Sequence, residues 1–480
     1  MKASYYNVIA DKPDGEGYLL YNTLNKGLCT LTRKEKRIYD RIATGDGDFY
    51  GLVKPLKEGG FVLDDPETEA AFLEYQYDRY KYNTEVFELV IATTMDCNNS
   101  CIYCCTPSRS GYMSKEVQDK VLEFTQEKYE ESPFKKMRVT WIGGEPLLRM
   151  DVIERLSKMF IDFCDEHEVV YIAHATSNAR LATKEVADKL AECRVRSVMS
   201  SLDGYSERHN CRRCSRSGVE TYDTIIKNMD NLVDSGITTV VNFPLDRNNF
   251  KDFHEIGNKY INRDGYMVRC TQMRDYHDTF AKERADIFDL TTRPEYSDES
   301  CKFFMSQNPS SAQIAEGLQT LHTFCGTPLH NWWAIDEKGG VYKCYGDFGF
   351  PENAIFSLME PKENREVNWE KLTMYMNFSP LKDPECRKCR VLPLCQGECA
   401  FEHILFGRYC RTFFYNIEDF VQAYYQAIKK ESKEREEMGA TEQIKKPEEA
   451  GYDKLKIEHY ELRLCLGSVE PGHESPKASV

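Results

Sequence analysis

Three cysteines, Cys97, Cys101 and Cys104, follow one another at C-x3-C-x2-C spacing, directly after the apolar run Val86–Ala92. Thiolates are soft ligands for zinc, copper(I) or iron–sulfur clusters, and several on one short loop point to a metal. Most iron–sulfur clusters take four protein thiolates. A loop that offers three, with Tyr103 just before the last, leaves one iron free for another ligand. Catalytic metal sites keep such a position open. The plainer readings of the triplet are a zinc knuckle or core cysteines at chance spacing.

A second set lies far downstream. Cys386, Cys389, Cys395 and Cys399 run as C-x2-C-x5-C-x3-C, and Cys410 follows. Four thiolates within so short a segment form a strong metal signal that suits zinc as well as iron. Cys301, Cys325 and Cys344 precede them. Between the last two, Asn331–Asp336, the Gly339-Gly340 turn and Val341–Lys343 read as a hairpin that brings distant ligands together.

The elements that must hold these residues alternate between strand and helix over residues 83–300. Strand-like runs are Val86–Ala92, Met137–Ile142, Val169–Thr176, Val195–Leu202, Ile237–Phe243 and Tyr266–Cys270. Asp151 and Glu154 form a D-x-x-E capping pattern ahead of Leu156, Phe160 and Phe163, and Gly236 sits where the helix carrying Ile225, Met229 and Leu232 should stop. Six β–α repeats imply a parallel sheet, open or curled into a partial barrel. Its chemistry belongs at the carboxyl ends of the strands. The cysteine loop follows the first strand and Gly143-Gly144-Glu145-Pro146 the second. Thr176-Ser177-Asn178 ends the third, and Ser201-Leu202-Asp203-Gly204 the fourth. Glycines let backbone approach a ligand, and Glu145 offers an acceptor for an ammonium group. Together the four loops describe a pocket over the metal loop for a ligand with amine, carboxylate and ribose groups.

At 480 residues, 41% apolar and 29% charged, the chain has the composition of a soluble globular protein with two or three domains. No run reaches membrane-span length and Met1–Tyr5 opens no secretory h-region, so the expected location is cytoplasmic, without a membrane. There, 19 cysteines cannot form a disulfide framework. A net charge of −15 argues against nucleic acid as partner.

The triplet with Tyr103, followed by GGEP, resembles the radical S-adenosylmethionine (radical SAM) enzymes. The resemblance implies a [4Fe–4S] cluster on Cys97, Cys101 and Cys104, its open iron chelated by the amino and carboxylate groups of SAM. Gly143, Gly144, Glu145 and Pro146 would line the methionine moiety. Ser177 and Asn178 match the loop after the third strand, and Ser201 and Asp203 the loop near the ribose. His209 and Arg213 fit an H-x3-R that trails this segment in one subgroup; otherwise they read as a surface helix pair. One electron, from a donor such as a flavodoxin or ferredoxin, would cleave SAM to methionine and a 5′-deoxyadenosyl radical that abstracts hydrogen.

The later cysteines resemble the SPASM extension of that family at all seven positions. This implies two auxiliary [4Fe–4S] clusters, one on Cys386, Cys389, Cys395 and Cys410, the other involving Cys325, Cys344 and Cys399. Either Cys301 completes the second or an iron stays open to substrate. Cys105, Cys164, Cys193, Cys270 and Cys465 read as core or surface thiols, and Cys211 with Cys214 as a stray pair. The resemblance divides the chain into residues 1–82, a small winged-helix-like α+β domain similar to leader-peptide-recognition domains; 83–300, a partial (β/α)6 barrel; 301–428, the Cys-rich domain; and 429–480, a charged tail, partly disordered. It implies a peptide-modifying enzyme that matures a ribosomally made precursor peptide bearing a leader, through a thioether or another side-chain crosslink. The alternatives are a sulfatase-maturing enzyme that makes formylglycine and a non-catalytic zinc scaffold. Two features weigh against the former: 96 residues precede the cysteine loop, and Tyr345 stands where that family has an Asp after the cysteine matching Cys344, the nearest here being Asp347.

Overall fold

The computed structural model describes residues 1–45, 50–104, 106, 110–272, 293–408, 410 and 412–437. Cys105, Cys465 and the tail beyond 437 lie outside the described residues.

The first segment builds a three-stranded antiparallel sheet and three helices. Its elements are β1 Lys2–Ala3, β2 Asn7–Asp11, β3 Tyr18–Asn22, β4 Leu28–Leu31, α1 Arg33–Ala43, α2 Tyr50–Glu58, β5 Val62–Leu63 and α3 Glu67–Lys81. Thr32 and Glu35 close a reciprocal capping box that starts α1. One sheet face (Leu20, Leu31) packs on Tyr39, Ile42 and Leu56. The other (Val8, Ala10, Leu19, Tyr21) meets the last helix of the chain. The unit expected to stand apart is therefore docked on the Cys-rich region. Arg387 pairs with Glu67 and Glu74, Tyr6 donates to the Arg387 carbonyl, and Thr23 to that of Arg390.

The six expected strands form as β6 Val86–Thr94, β7 Lys136–Gly143, β8 Val170–Thr176, β9 Val195–Ser201, β10 Thr238–Leu245 and β11 Tyr266–Gln272. The helices between them are α4 Lys115–Glu131, α5 Met150–Glu166, α6 Lys184–Glu192, α7 Ser206–Arg212, α8 Tyr222–Asp234 and α9 Phe250–Ile261. All strand neighbours in the run β6 to β11 are parallel and sequential. Alternation sends Phe87, Leu89, Val139, Trp141, Ala173, Val198 and Val241 to the helix layer, where Leu156, Phe160 and Met229 meet them. Each such large side chain contributes roughly 2 kcal/mol on burial. Ser114 and Thr183 cap α4 and α6, and Gly236, at φ +76°, ends α8 as expected.

The D-x-x-E reading of α5 was wrong. A 3-10 turn, Pro146–Arg149, runs directly into the helix, so Asp151 already lies in the first turn and its carboxylate pairs with Arg149 at 2.6 Å.

The sheet continues beyond β6 with β12 Trp332–Ile335, parallel to β6, then β13 Gly340–Tyr342 and β14 Phe356–Ser357. The hairpin expected at Gly339-Gly340 thus becomes part of the barrel sheet. Helices α10 Arg293–Ser306, α11 Ser311–Gly317, α12 Trp369–Met376, α13 Pro384–Arg387, α14 Leu392–Cys395, α15 Ala400–Phe406 and α16 Thr412–Glu437 complete the chain. The expected tail from 429 is helical as far as Glu437. Among the described residues no helix is long and apolar enough to cross a membrane.

Candidate functional site

The two glycines after β7 fix the site's floor. A Cβ on Gly143 would sit 2.1 Å from the Thr94 carbonyl oxygen, and one on Gly144 2.2 Å from that of Asp96. Gly144 and Glu145 donate backbone N–H groups to those same oxygens at 3.0 and 2.9 Å. The glycines therefore seat the start of the cysteine loop against the end of β7. Gly144→Ala should push Asp96 and Cys97 outward, lowering stability by about 2 kcal/mol and cutting bound iron. A urea melt with iron analysis checks both.

Glu145 is fully buried. Its carboxylate accepts from Ser177 Oγ at 2.7 Å, Asn178 N at 2.7 Å and Leu147 N at 3.0 Å. Burial pushes its pKa up, and these three donors together with the Arg180 charge oppose the shift. It thereby ties the loop after β7 to the loop after β8. That second loop grips the cysteines. Asn178 Nδ2 donates to Asn98 Oδ1 at 2.7 Å and lies 3.8 Å from Cys97 Sγ, and Arg180 donates to the Asn98 carbonyl at 2.8 Å and to Asn99 Oδ1 at 2.9 Å.

A third clamp comes from the segment after α7. Ser100 and Ile102 donate backbone N–H groups to the carbonyls of Cys214 and Arg212, and Arg216 N to that of Asn98. The Arg216 side chain pairs with Asp96 at 2.6 Å. Cys211 and Cys214 thus flank the metal loop, with Cys214 Sγ 3.0 Å from the Ser100 carbonyl oxygen. Sequence gave no hint of this pairing, nor of Arg180 and Arg216.

Asp203, fully buried, accepts from the Tyr103 hydroxyl at 2.7 Å and from Arg213 Nε at 3.0 Å through the same oxygen, Oδ1. Burial pushes Tyr103 well up, with the Asp203 charge adding to it against Arg213, so the phenol stays protonated and donates. Asp203 Oδ2 is buried without a partner. His209 and Arg213 are no surface pair: His209 is fully buried against Tyr222, and the Arg213 side chain is 12% exposed.

Burial, with the Arg213 charge, pushes His209 down to about 4. Unfolded, it would take up a proton near 6.5, so between these values the unfolded chain binds more protons and stability rises with pH. Acidification from 6.5 to 4 should cost roughly 3 kcal/mol through this residue. His209→Phe should flatten that part of a stability–pH curve measured by urea unfolding.

The three loop thiols fit a cationic cluster. Burial and the charges of Asp203, Cys104 and Cys97 push Cys101 up to about 11 against Arg213, and burial with Glu145 and Cys104 raises Cys97. Adjacent thiolates so disfavoured need positive metal to ionise together. The orphaned Asp203 oxygen fits a ligand hydroxyl above them.

The later cysteines fall into two groups. A cavity of about 530 Å3 is walled by Cys386, Cys389, Cys395 and Cys410. Elsewhere Cys344 is pushed well up by burial, by the neighbouring Cys399 and Asp347, and by Cys325. Lys343 Nζ, donating to the Leu329 and Trp332 carbonyls, holds these segments together. Cys301 lies apart, in the helical core with Phe304, Ile417 and Val421.

Tyr345, next to Cys344, is 57% exposed and stands beside Trp332 of β12 at 6.4 Å between rings. Desolvation by nearby protein raises its pKa, as do Cys344, Cys399 and Cys325, while the charge of Arg269 on β11 opposes the rise. The Cys344 segment and β11 are thus near one another. The inner face of the barrel sheet is polar: Arg138 pairs with Glu88 at 2.5 Å and His174 meets Ser197 at 2.8 Å. Charges inside otherwise apolar strands were the available sequence signal for this lining.

A parallel barrel sheet with a three-thiol loop at its carboxyl end defines the class, and residues 91–259 match the model of the radical SAM superfamily. The chain carries a radical SAM domain and is a radical SAM enzyme, with SAM and the iron–sulfur cluster of that superfamily implied. Over 439 residues, 83% of this chain and 89% of the other, it is 21% identical to the radical SAM cyclopropyl synthase TigE of Paramaledivibacter caminithermalis. Over 123 residues, 26% of this chain and 38% of the other, it is 31% identical to a probable GTP 3′,8-cyclase of Archaeoglobus fulgidus. Its fold is similar to that of native anSMEcpe with bound AdoMet and Cp18Cys peptide, with TM-score 0.52, 16% identity and coverage of 73% of this chain and 99% of that one.

Proposed function

We propose that this enzyme modifies a ribosomally made precursor peptide by radical chemistry, forming a thioether or other side-chain crosslink. One observation carries the reading. Tyr345, exposed beside the Cys344 group, lies near enough to Arg269 on the sixth barrel strand to feel its charge, so a substrate held at Tyr345 would reach both the Cys344 group and the inner face of the barrel sheet. When bound, the loop cluster and SAM supply a carbon radical able to take hydrogen from an unactivated C–H bond.

The chain's own residues do the positioning. Cys97, Cys101 and Cys104 hold the cluster, and Asn178 directs an N–H toward the Cys97 sulfur, a contact of the kind that tunes potential. Gly143, Gly144, Glu145 and Pro146 frame the methionine side, while Ser201 and Asp203 face the ribose, with Asp203 Oδ2 to accept a hydroxyl. Auxiliary clusters would be held by Cys386, Cys389, Cys395 and Cys410 and by Cys325, Cys344 and Cys399. Cys301, packed in the helical core with Phe304 and Ile417, stands apart from the second set. Similarity to TigE over most of both chains supports a radical SAM synthase.

The formylglycine alternative needs an acid near Tyr345. Asp347 is committed elsewhere, accepting from the Tyr375 hydroxyl at 2.6 Å and Asn353 at 2.9 Å. The leader of the precursor would add to β4, which among the described residues pairs only with β3. Deleting residues 1–82 would be a poor test, since Glu67, Glu74 and Thr23 brace the Arg387–Arg390 segment around Cys389.

Hydrogen exchange of the intact reconstituted protein tests leader binding. Precursor peptide should protect the amides of Leu28–Leu31, and mass spectrometry of that peptide after reaction with SAM and reductant should show loss of two hydrogens. An unaltered peptide would count against the proposal.

A further inference from the structure

The inner barrel wall holds one cation whose charge nothing in the described chain answers. Strand register makes Arg269 of β11 the direct neighbour of Asn242 of β10, and Asn242 that of Ser201 of β9. In a parallel ladder such neighbours share a face, here the one opposite Val241 and Val268, which pack on the helices. The row Ser201–Asn242–Arg269 therefore runs along the barrel interior, away from the loop that carries Asp203.

The partners of Arg269 are poor. Its Nε is buried without a hydrogen-bond partner. Its Nη1 has Met199 Sδ at 3.9 Å, a weak acceptor. Other cations near the pocket are answered: Arg138 by Glu88, Arg213 by Asp203 and Arg216 by Asp96. Among the described residues no carboxylate lies within ion-pair distance of Arg269. An uncompensated charge inside a protein is costly, so a guanidinium kept there is poised for an incoming anion. Its planar fork suits a carboxylate, which can accept two parallel N–H bonds.

Asn242 adds a second point of recognition. Its Nδ2 donates to Ser201 Oγ and Thr271 Oγ1, both at 3.2 Å, while its Oδ1 is buried without a partner. A cation and an amide oxygen side by side match a carboxylate and a nearby N–H on one ligand. The Arg269 charge also reaches Tyr345 beside Cys344.

We propose that Arg269, with Asn242 beside it, binds a carboxylate of the substrate and so selects peptides with an acidic side chain or free C-terminus at the reacting position. This rests on the peptide reading above, since carboxylates are the anions that predominate on an unmodified peptide at neutral pH. Arg269 is a specificity-determining residue that positions the reacting residue between the Ser201 end of the pocket and Tyr345.

The test uses full-length, anaerobically reconstituted protein with SAM and a synthetic peptide library, each sequence made in acid and amide forms. Peptides retained on ultrafiltration are read by mass spectrometry. Wild type should retain acidic sequences at least about tenfold better than their Asn/Gln counterparts, the yield of a charge-assisted hydrogen bond. Arg269→Gln should erase that difference while its affinity for SAM stays within about twofold of wild type. Loss on C-terminal amidation alone identifies the terminal carboxylate; loss on Asp→Asn or Glu→Gln exchange identifies a side chain. Equal retention of acid and amide forms, or a preference surviving in Arg269→Gln, overturns the proposal, as does a tenfold loss of SAM affinity, which would make Arg269 a SAM ligand.

If neither protein retains any peptide, the peptide reading fails, and a separate measurement decides on Arg269. N-acetylglutamate amide, and not N-acetylglutamine amide, should slow phenylglyoxal labelling of Arg269 by mass spectrometry. Equal labelling rates with the two probes exclude a carboxylate site.

Discussion

Cys101→Ala is expected to abolish SAM cleavage while leaving the fold in place. The thiol is only half-buried, and the loop around it is held by groups that the substitution leaves untouched: Arg180 on Asn98 and Asn99, Arg216 on Asp96, and the backbone bonds to Arg212 and Cys214. Loss of one thiolate removes a ligand from a set with none to spare. If the two proposed auxiliary clusters are loaded, iron should fall by about a third, the share of one four-iron cluster in three. The urea midpoint should move by less than about 1 kcal/mol in stability. Iron analysis, 5′-deoxyadenosine release and the melt separate a lost cluster from a lost fold. Retained SAM cleavage would remove Cys101 from the metal site.

Asp203→Asn should have the largest effect on stability. The carboxylate is fully buried and answers Arg213, whose side chain is 12% exposed. The amide oxygen can still accept from both donors, which share Oδ1, but the charge that answers Arg213 is lost. Breaking a buried pair from one side costs about 3–5 kcal/mol, because the other charge remains. The same change weakens the charge-assisted bond from Tyr103 to the loop after β9, so SAM affinity should fall along with stability. Asp203→Asn combined with Arg213→Gln should lose less stability than the sum of the two single changes, since the pair then leaves together. Additive losses in a double-mutant cycle would show that Arg213 and Asp203 act independently.

The strands of the barrel were legible because apolar runs such as Val86–Ala92 and Val195–Leu202 are bounded by glycine and polar punctuation. The site loops were legible because they follow those strands. Interactions between irregular segments far apart in the chain leave no periodic trace. That is why the pairing of Asn98–Ile102 with Arg212–Arg216 and the grip of Arg180 emerge only from the structure. Interior polar contacts such as Glu88–Arg138 depend on register, which one strand alone does not specify. The cap assigned to Asp151 failed because Glu145, through its bond from Leu147, starts a 3-10 turn five residues before the pattern. The glycines of GGEP were correctly read as sites of close approach, yet the backbone they admit is that of Thr94 and Asp96.

The docked N-terminal sheet was equally unreadable. Nothing in its sequence says what packs on its outer face, and α16 covers that face in the fold. The proposed leader site at β4 and the cysteines at 386 and 389 therefore belong to segments that pack together.

Release of 5′-deoxyadenosine by the intact protein, reconstituted without oxygen and given SAM and a strong reductant, tests the central claim most directly. A brown, iron-rich protein that forms 5′-deoxyadenosine and methionine in equal amounts is the predicted result. A colourless protein that binds zinc in place of iron, or an iron-loaded one that leaves SAM intact, would contradict it.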